Sequence, residues 1–595
     1  MSKFFINRPI VAIVISILTV IIGVVSFLGL PIAQFPKIAP PEVRITSSYV
    51  GADAQTVEQS VAAPIEQQLS GVDNLNYMYS INGSDGSFRL TGNFDIATDP
   101  NTDLILSQMR VTQASPQLPS DVAAYGVTVQ KSLSAPLMLV SLNSPNGTYD
   151  GTFLANYAYI NINDKLTRVP GIASVTVFGA GQYAMRFWIK PDQLAKLNLT
   201  VPEVLAAIKT QNTVNPAGQI GAEPVPAGQQ FTYSVRAQGR LSSPEEFGNI
   251  ILRETPGGGT VRLKDVARVE LGAQLYNIRS RMNGKPSAIM AIYQLPGSNA
   301  LDAAEGVKKA LEEMKSSFPA DLSYNVALDT TRSVSEGVHE ISQTLWQALV
   351  LVIIVVFVFL QGWRATIIPL LAVPVSLIGT FIFFPLFGFS VNTLSLFGLV
   401  LAIGLVVDDA IVVVEAVEHH IEQGMSPRDA TLQAMHEVAG PVVAIAIVLA
   451  AVFIPTAFIP GITGRLYQQF ALTIAISVII SAFNALSLSP ALCAMILRPK
   501  KKSGGPLGFF YRGFNKVFGR VSAGYVGVSR ALIHKSLVGL ILLIGFAVFA
   551  GVFGKRLPTA FLPDEDQGYV YVGMQLPNAA SLQRTDAAAR KVEDI

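Results

Sequence analysis

The sequence predicts an α+β membrane protein: a transmembrane helical bundle joined to a large extramembrane region of split βαβ type. Three observations carry this. Half of the 595 residues are apolar and only 14% are charged, against about 25% charged in an ordinary soluble domain. Seven segments stay apolar over the roughly 20 residues that cross a bilayer. Between the first two lies a polar stretch, residues 31–341, whose patterns alternate between strand and helix.

The seven spans are placed at 9–30, 342–360, 365–387, 391–416, 438–459, 467–497 and 536–554. The first is longer than the apolar part of a signal peptide, and no small-residue cleavage pattern follows it, so it reads as a retained span. Pro369, Pro374 and Pro385 predict kinks in the third. The sixth is long enough to begin outside the hydrocarbon. Lys and Arg near the span ends set the orientation. Lys3 and Arg8 lie in the segment 1–8, and Arg364 follows the second span. The segment 498–535 carries Lys500, Lys501, Lys502, Arg512, Lys516, Arg520 and Arg530 without any acid. With seven spans these three places share the cytoplasmic side, and 31–341 lies on the other, which in a bacterium is the periplasm. Within 498–535, Arg512, Lys516 and Arg520 recur every four residues beside a stripe of Phe510, Phe514, Val517, Phe518 and Val521. That pattern fits a basic amphipathic helix in the membrane surface, or one packed on the bundle.

The extramembrane region opens with a strand at 43–49, a helix over 52–69, strands near 75–81 and 87–95, a helix over 100–114 and a strand at 127–131. That order, β-α-β-β-α-β, is the split βαβ unit. A second unit begins with a strand at 137–142, a helix over 153–168 and strands at 173–178 and 185–189. It resumes with a strand at 288–293, a helix over 299–316 and a strand at 323–328. The intervening insert is rich in Gly, Pro and Gln at 215–230, which predicts an exposed arm or a plain surface loop. The sequence also repeats itself weakly. Leu30–Phe35 (LPIAQF) follows the first span, and Leu557–Leu562 (LPTAFL) follows the seventh, each with a strand-like and then a helical pattern after it. Read as a repeat, 556–595 is the start of a second extramembrane copy that stops early.

The fourth span holds two adjacent acids, Asp408 and Asp409, in the run GLVVDDAIVVV. One acid at mid-helix costs about 2.5–3.5 kcal/mol on insertion scales, so the pair needs a functional reason. Adjacent residues are about 100° apart around a helix, and both can face one side of a bundle. Two close carboxylates in a low dielectric do not readily both ionise, which suits a proton carrier. The structural alternative is an ion pair with a base in another span, and no span carries one at its centre. Gly398, Ala402 and Gly404 would admit a neighbouring helix. Glu415 and Glu418 read as solvated, and His419, His420 and His436 as residues of a cytoplasmic loop.

Other classes have little support. Net charge is only +2, too small for nucleic-acid binding through phosphate neutralisation. Cys493 is the single cysteine, so there is no internal disulfide and no zinc-type Cys/His set. There is no GxxxxGK[ST] pattern for a nucleotide, no nucleophile with a matching base, and no cofactor is expected beyond the proton as coupling ion.

Several motifs together resemble the resistance–nodulation–division family, in its hydrophobe/amphiphile efflux branch. They are FFINRPI at 4–10, LPIAQFPKIAPPEV at 30–43, AVPVSLIGTF at 372–381 and NTLSLFGLVLAIGLVVDDAIVVVEAVE at 392–418. The resemblance covers 1–595. It implies a secondary transporter of the bacterial inner membrane, not an enzyme, that exports hydrophobic and amphiphilic compounds in exchange for protons. It implies a homotrimer of twelve-span subunits, a periplasmic adaptor protein and an outer-membrane channel. Residues 31–135 would form one porter subdomain, 136–181 with 273–331 a second, and 182–272 a docking insert whose arm near 211–239 reaches a neighbouring subunit. Asp408 and Asp409 would be the proton relay, completed by a lysine of a later span. Phe178, Thr176, Thr46, Arg89 and Gln130 match substrate-pocket positions. Pro136, Leu275 and Leu328 stand at pocket positions where the family often has aromatic or polar residues, and Ala416 replaces a common asparagine. The alternatives are metal-ion efflux by the same superfamily, which no methionine cluster supports, and an inactive N-terminal fragment.

Overall fold

The computed structural model describes residues 2–33, 35–36, 40–132, 135–254, 258–499, 506–557 and 566–595. Lys500–Lys502 and residues 558–562 of the second repeat motif lie outside the described residues. Two compact units emerge: Met1–Ala135 with Gln294–Ala304 and Thr330–Tyr569, and Pro136–Tyr293 with Glu305–Asp329 and Val570–Ile595.

Among the described residues, the first unit contains seven helices long and apolar enough to cross a membrane: Pro9–Leu28, Thr331–Leu360, Trp363–Phe387, Thr393–Glu422, Pro427–Phe458, Gly461–Ile496 and Ser536–Gly554. These are the seven expected spans, but several run further than their apolar cores. The second begins at Thr331 and the fifth at Pro427, because polar residues outside the hydrocarbon continue the helix. The third is not continuous. It runs to Thr380, and Pro385 opens a separate turn, Phe384–Phe387, as expected of a residue without an amide proton. The fourth and sixth spans lie at the centre of the bundle, with Val406, Val413, Ile474 and Val478 at most 1% exposed. The seventh has no buried residue. The basic segment forms one helix, Pro506–His534. Its Phe514 and Phe518 pack edge-on against Phe359 at the end of the second span, and Gln361 donates to Asn515 at 2.6 Å. Arg512, Lys516 and Arg520 point to solvent.

The same unit carries a four-stranded sheet of β1 (Glu42–Ser48), β2 (Leu75–Asn82), β3 (Ser87–Phe94) and β4 (Thr128–Ser132), in the order β2-β3-β1-β4. Val43 and Ile45 on β1 and Phe88, Leu90 and Phe94 on β3 pack one face against helices over 54–69 and Pro100–Ala114. Side chains of a strand alternate between faces, so Arg44, Thr46 and Arg89 occupy the other face. Asp53 and Asp99 cap the two helices, accepting from the backbone N–H of Thr56 and Thr102.

The second unit repeats this plan. Its sheet holds β5 (Met138–Asn143), β6 (Ile172–Phe178), β13 (Arg281–Met282), β14 (Lys285–Gln294) and β15 (Ser323–Asp329). β14 pairs with β5, β5 with β15, and β6 runs along β14, so the four long strands stand in the same second-third-first-fourth order. Asp150 caps the helix after β5 by accepting from Phe153 N–H at 2.8 Å. The helices after β1 and β5 both contain a π-turn, Glu58–Ala62 and Ala158–Asn163.

One strand assignment is corrected. Residues 185–189 do not join the second sheet. They belong to β7 (Tyr183–Ile189), which pairs along its whole length with β12 (Ala267–Ala273) in a separate ribbon. Between these two strands lie β8 (Gln219–Ile220), β9 (Tyr233–Ser234), β10 (Ile251–Glu254) and β11 (Thr260–Arg262). A local core of Leu194, Val204, Phe247 and Leu263 holds the insert together. The Gly/Pro/Gln-rich stretch is an exposed hairpin closed by the β8–β9 pair.

Candidate functional site

The fourth span starts at Asn392, whose side chain accepts from Ser395 N–H at 3.0 Å while its own N–H donates to Ser395 Oγ. Four turns later the helix presents the two acids. They do not face one side, as the sequence reading allowed. Asp409 is 5% exposed and turned into the bundle, whereas Asp408 is exposed. The rotation of about 100° per residue places them on different faces.

Asp409 meets the sixth span at Ser481. The Ser481 hydroxyl lies 2.7 Å from Oδ2 of Asp409 and 3.0 Å from the Val406 carbonyl oxygen. A hydroxyl has one proton and two lone pairs. With Asp409 ionised, Ser481 donates to the carboxylate. With Asp409 protonated, the carboxyl donates to Ser481, and Ser481 donates to Val406. The same heavy-atom arrangement therefore serves both states. No basic side chain pairs with either aspartate among the described residues.

Ser481 belongs to a polar stripe on the sixth span: Gln469, Thr473, Ser477, Ser481 and Asn484, each at most 3% exposed. Their spacing of four and three residues puts them on one helix face. Gln469 accepts from Asn392 at 2.9 Å, Ser477 lies 2.8 Å from the Thr380 hydroxyl, and Asn484 donates to Ser376 Oγ at 2.9 Å. The third, fourth and sixth spans are thus held in register by paired polar groups. Sequence reasoning missed Ser481, although the periodic polar residues of the sixth span were a signal that could have found it.

Helix contacts refine the other expectations. A Cβ on Gly398 would sit 3.2 Å from the Phe470 carbonyl oxygen, so this glycine does admit the sixth span. Gly404 faces open space and packs nothing among the described residues. Closer approaches occur at Gly23 and Gly379, where the first and third spans touch. His419 and His420 lie in the last turn of the fourth span and not in a loop. His420 is buried and 3.2 Å from Glu437. His436 lies within the helix Pro427–Phe453. Glu415 is exposed, and Glu418 is partly buried.

The pocket candidates fall in both units. In the first, Thr46 stands directly opposite Arg89 on β3 and Thr128 on β4, and Arg44 stands opposite Thr91 and Gln130. Thr46, Arg89 and Gln130 therefore share the open face of one sheet. The edge strand adds Ile81 opposite Arg89 and Tyr79 opposite Thr91, residues the sequence reading did not single out. In the second unit, Thr176 and Phe178 lie two apart on β6 and so share a face. Leu328 stands opposite Leu139 beside a bulge in β15. Leu275 is exposed just beyond β12, its N–H bonded to the Ala180 carbonyl at 3.0 Å, and Pro136 precedes β5.

The AcrB/AcrD/AcrF family matches residues 1–595. The chain is 44% identical over 602 residues to multidrug export protein AcrF of Escherichia coli (strain K12), covering 100% of this chain and 58% of that protein. It is 42% identical over 597 residues to multidrug resistance protein MdtF of Escherichia coli O157:H7, again over 100% of this chain and 57% of the relative. It is 40% identical over 602 residues to the multidrug/solvent efflux pump membrane transporter MepB of Pseudomonas putida, over 100% and 57%. The chain spans a little over half the length of these curated relatives. With its whole length matched, the chain belongs to the AcrB/AcrD/AcrF family, in the hydrophobe/amphiphile branch of the resistance–nodulation–division transporters.

Proposed function

We propose that this chain serves a proton-driven exporter of hydrophobic and amphiphilic compounds in the bacterial inner membrane. The observation that carries the reading is Asp409, a buried acid in a membrane span whose only hydrogen-bond partner among the described residues is a serine hydroxyl. A carboxylate without a cation at that depth is costly, and a group that exchanges a proton avoids holding the charge throughout a cycle. Family membership and the relatives' names, multidrug export and multidrug/solvent efflux, supply the cargo class.

In this reading Asp408 and Asp409 take up protons from the periplasmic side and release them to the cytoplasm, each charge moved yielding about 2.3 kcal/mol per 100 mV. Alternate protonation biases the packing of the fourth span against the sixth, and that movement drives the extramembrane region. The two β-α-β-β-α-β units, 31–135 and 136–181 with 273–331, act as split βαβ porter subdomains. The insert 182–272 acts as the docking part, its exposed β8–β9 hairpin gripping a neighbouring subunit of a homotrimer. A periplasmic adaptor and an outer-membrane channel complete the path. Thr46, Arg89, Gln130, Thr176, Phe178, Pro136, Leu275 and Leu328 line the substrate route.

The test is dye efflux from cells expressing the intact transporter. Accumulated rhodamine 6G should leave on energisation and stop leaving when an uncoupler collapses the proton gradient. Efflux that persists with the gradient collapsed would sink the proton-driven reading.

A further inference from the structure

We infer that the open face of the β2-β3-β1-β4 sheet selects anionic, aromatic amphiphiles. This rests on the efflux reading above and names the substrate class of the same region. The register fixes the geometry. Arg44 stands opposite Thr91, and Arg89 lies two residues before Thr91 on β3. The two arginines are therefore diagonal neighbours, roughly 7–8 Å apart, close enough for both guanidinium groups to reach one anion. Arg89 is also diagonal to Tyr79, which stands opposite Thr91 from the other side.

Three features point to the ligand. First, the cations are not ion-paired among the described residues, and Nε of Arg44 is shielded from solvent without a hydrogen-bond partner. A guanidinium presents five donors in a planar fork, and a carboxylate, sulfonate or phosphate accepts bidentately from such a fork. Second, the acid on this face, Glu42, stands opposite Asn93, two residues from Arg44 on β1 and at the far end of the sheet from Arg89. The balance is two cations against one anion. Third, Tyr77, Tyr79 and Ile81 form a row along the edge strand, 59%, 50% and 57% exposed. Residues two apart on a strand share a face, and this row is a flat apolar and aromatic surface beside the charges. Aromatic rings stack there, while the anionic group turns inward to the guanidiniums. A cationic amphiphile would meet the same two positive charges at close range and be disfavoured.

Fluorescein and rhodamine 6G share a xanthene ring and differ in charge, so they separate the charge term from the aromatic one. Fluorescence polarisation on the purified, intact transporter should show fluorescein binding more tightly than rhodamine 6G. Arg89→Gln, an exposed position, should weaken fluorescein about tenfold, the size of one charge-assisted hydrogen bond. The double variant with Arg44→Gln should weaken it further. Rhodamine 6G should bind more tightly in both, because the repulsion between like charges is relieved. Tighter binding of rhodamine 6G by the unaltered protein, or equal or absent changes for the two dyes in Arg89→Gln, would overturn the inference. Uncoupler-sensitive efflux is read separately. If the dyes bind with the expected preference but neither is exported on the proton gradient, the efflux reading fails and the charge selection stands.

Discussion

Removing the Ser481 hydroxyl should disable the acidic centre without unfolding the bundle. The site is closed: Ser481 and Asp409 are 3% and 5% exposed, so water does not readily replace the lost group. Ser481→Ala removes the one hydroxyl that lies 2.7 Å from the carboxylate and 3.0 Å from the Val406 carbonyl. A hydrogen bond to a charged group contributes about 1.5–3 kcal/mol and one to a neutral group about 0.5–1.5 kcal/mol, so losing both alters the balance between the ionised and protonated carboxyl by about tenfold. A cycle that must visit both states then slows by about tenfold or more. Ser481→Thr keeps the hydroxyl and should restore most of the rate. The assay is initial uncoupler-sensitive dye efflux at matched membrane expression. Wild-type rates in Ser481→Ala would refute the reasoning, and so would equal loss in the alanine and threonine variants.

Other consequences follow from contacts away from the acids. A Cβ on Gly23 would clash with the Ile378 carbonyl oxygen, which is backbone and cannot rotate away. Gly23→Ala should therefore push the first and third spans apart at about 1–3 kcal/mol, lowering the thermal midpoint of the purified protein. The same change at Gly404, whose added Cβ would meet no neighbouring element within 4 Å among the described residues, should not lower that midpoint. Asp321 accepts from Ser144 Oγ and from the N–H groups of Asn146 and Thr148, and these bonds, Ser144 first, hold its carboxyl well below the usual range. A depressed folded value means that its stabilisation is complete above about pH 4 and is lost as pH falls through the folded value. Asp321→Asn, which tolerates the left-handed backbone at φ +66°, should abolish that part of the acid dependence in a pH series of proteolysis rates. Arg281 is hydrogen-bonded by Glu593 and Asp586 of the helix Leu582–Glu593, and it holds both carboxyls below their ordinary range. Arg281→Gln should speed proteolytic cleavage of that helix at neutral pH. In the unaltered protein the same cleavage should quicken only on acidification below about pH 4.

The parts of the fold legible in the sequence were those with a local cause. Apolar length alone marks a candidate span, and each of the seven apolar segments falls in one of the seven long apolar helices described. Their ends were not legible, because Thr331 and Pro427 begin helices whose first turns are polar and lie beyond the apolar run. The strands and helices of both sheets follow from alternation and from helical spacing. The partner of β7 was missed because Tyr183–Ile189 pairs with a strand nearly eighty residues away, and no local pattern encodes that register. Asp409 was conspicuous because an acid in an apolar helix has few structural uses. Ser481 was less conspicuous, because a serine in a membrane helix usually bonds its own backbone, whereas here both partners, Asp409 and the Val406 carbonyl, lie on the neighbouring span. Arg44 and Tyr79 gave no signal of their own. Their shared face with Arg89 becomes visible only when the strands are set in register.

The central claim is that Asp409 exchanges the proton that drives export. Its most direct test is proton movement in liposomes containing the intact transporter, with Asp409→Asn compared with the unaltered protein. An imposed pH gradient should drive substrate-dependent proton flux in the unaltered protein. Asp409→Asn should abolish that flux while substrate binding in detergent is retained. Full proton-coupled transport by Asp409→Asn would contradict the account.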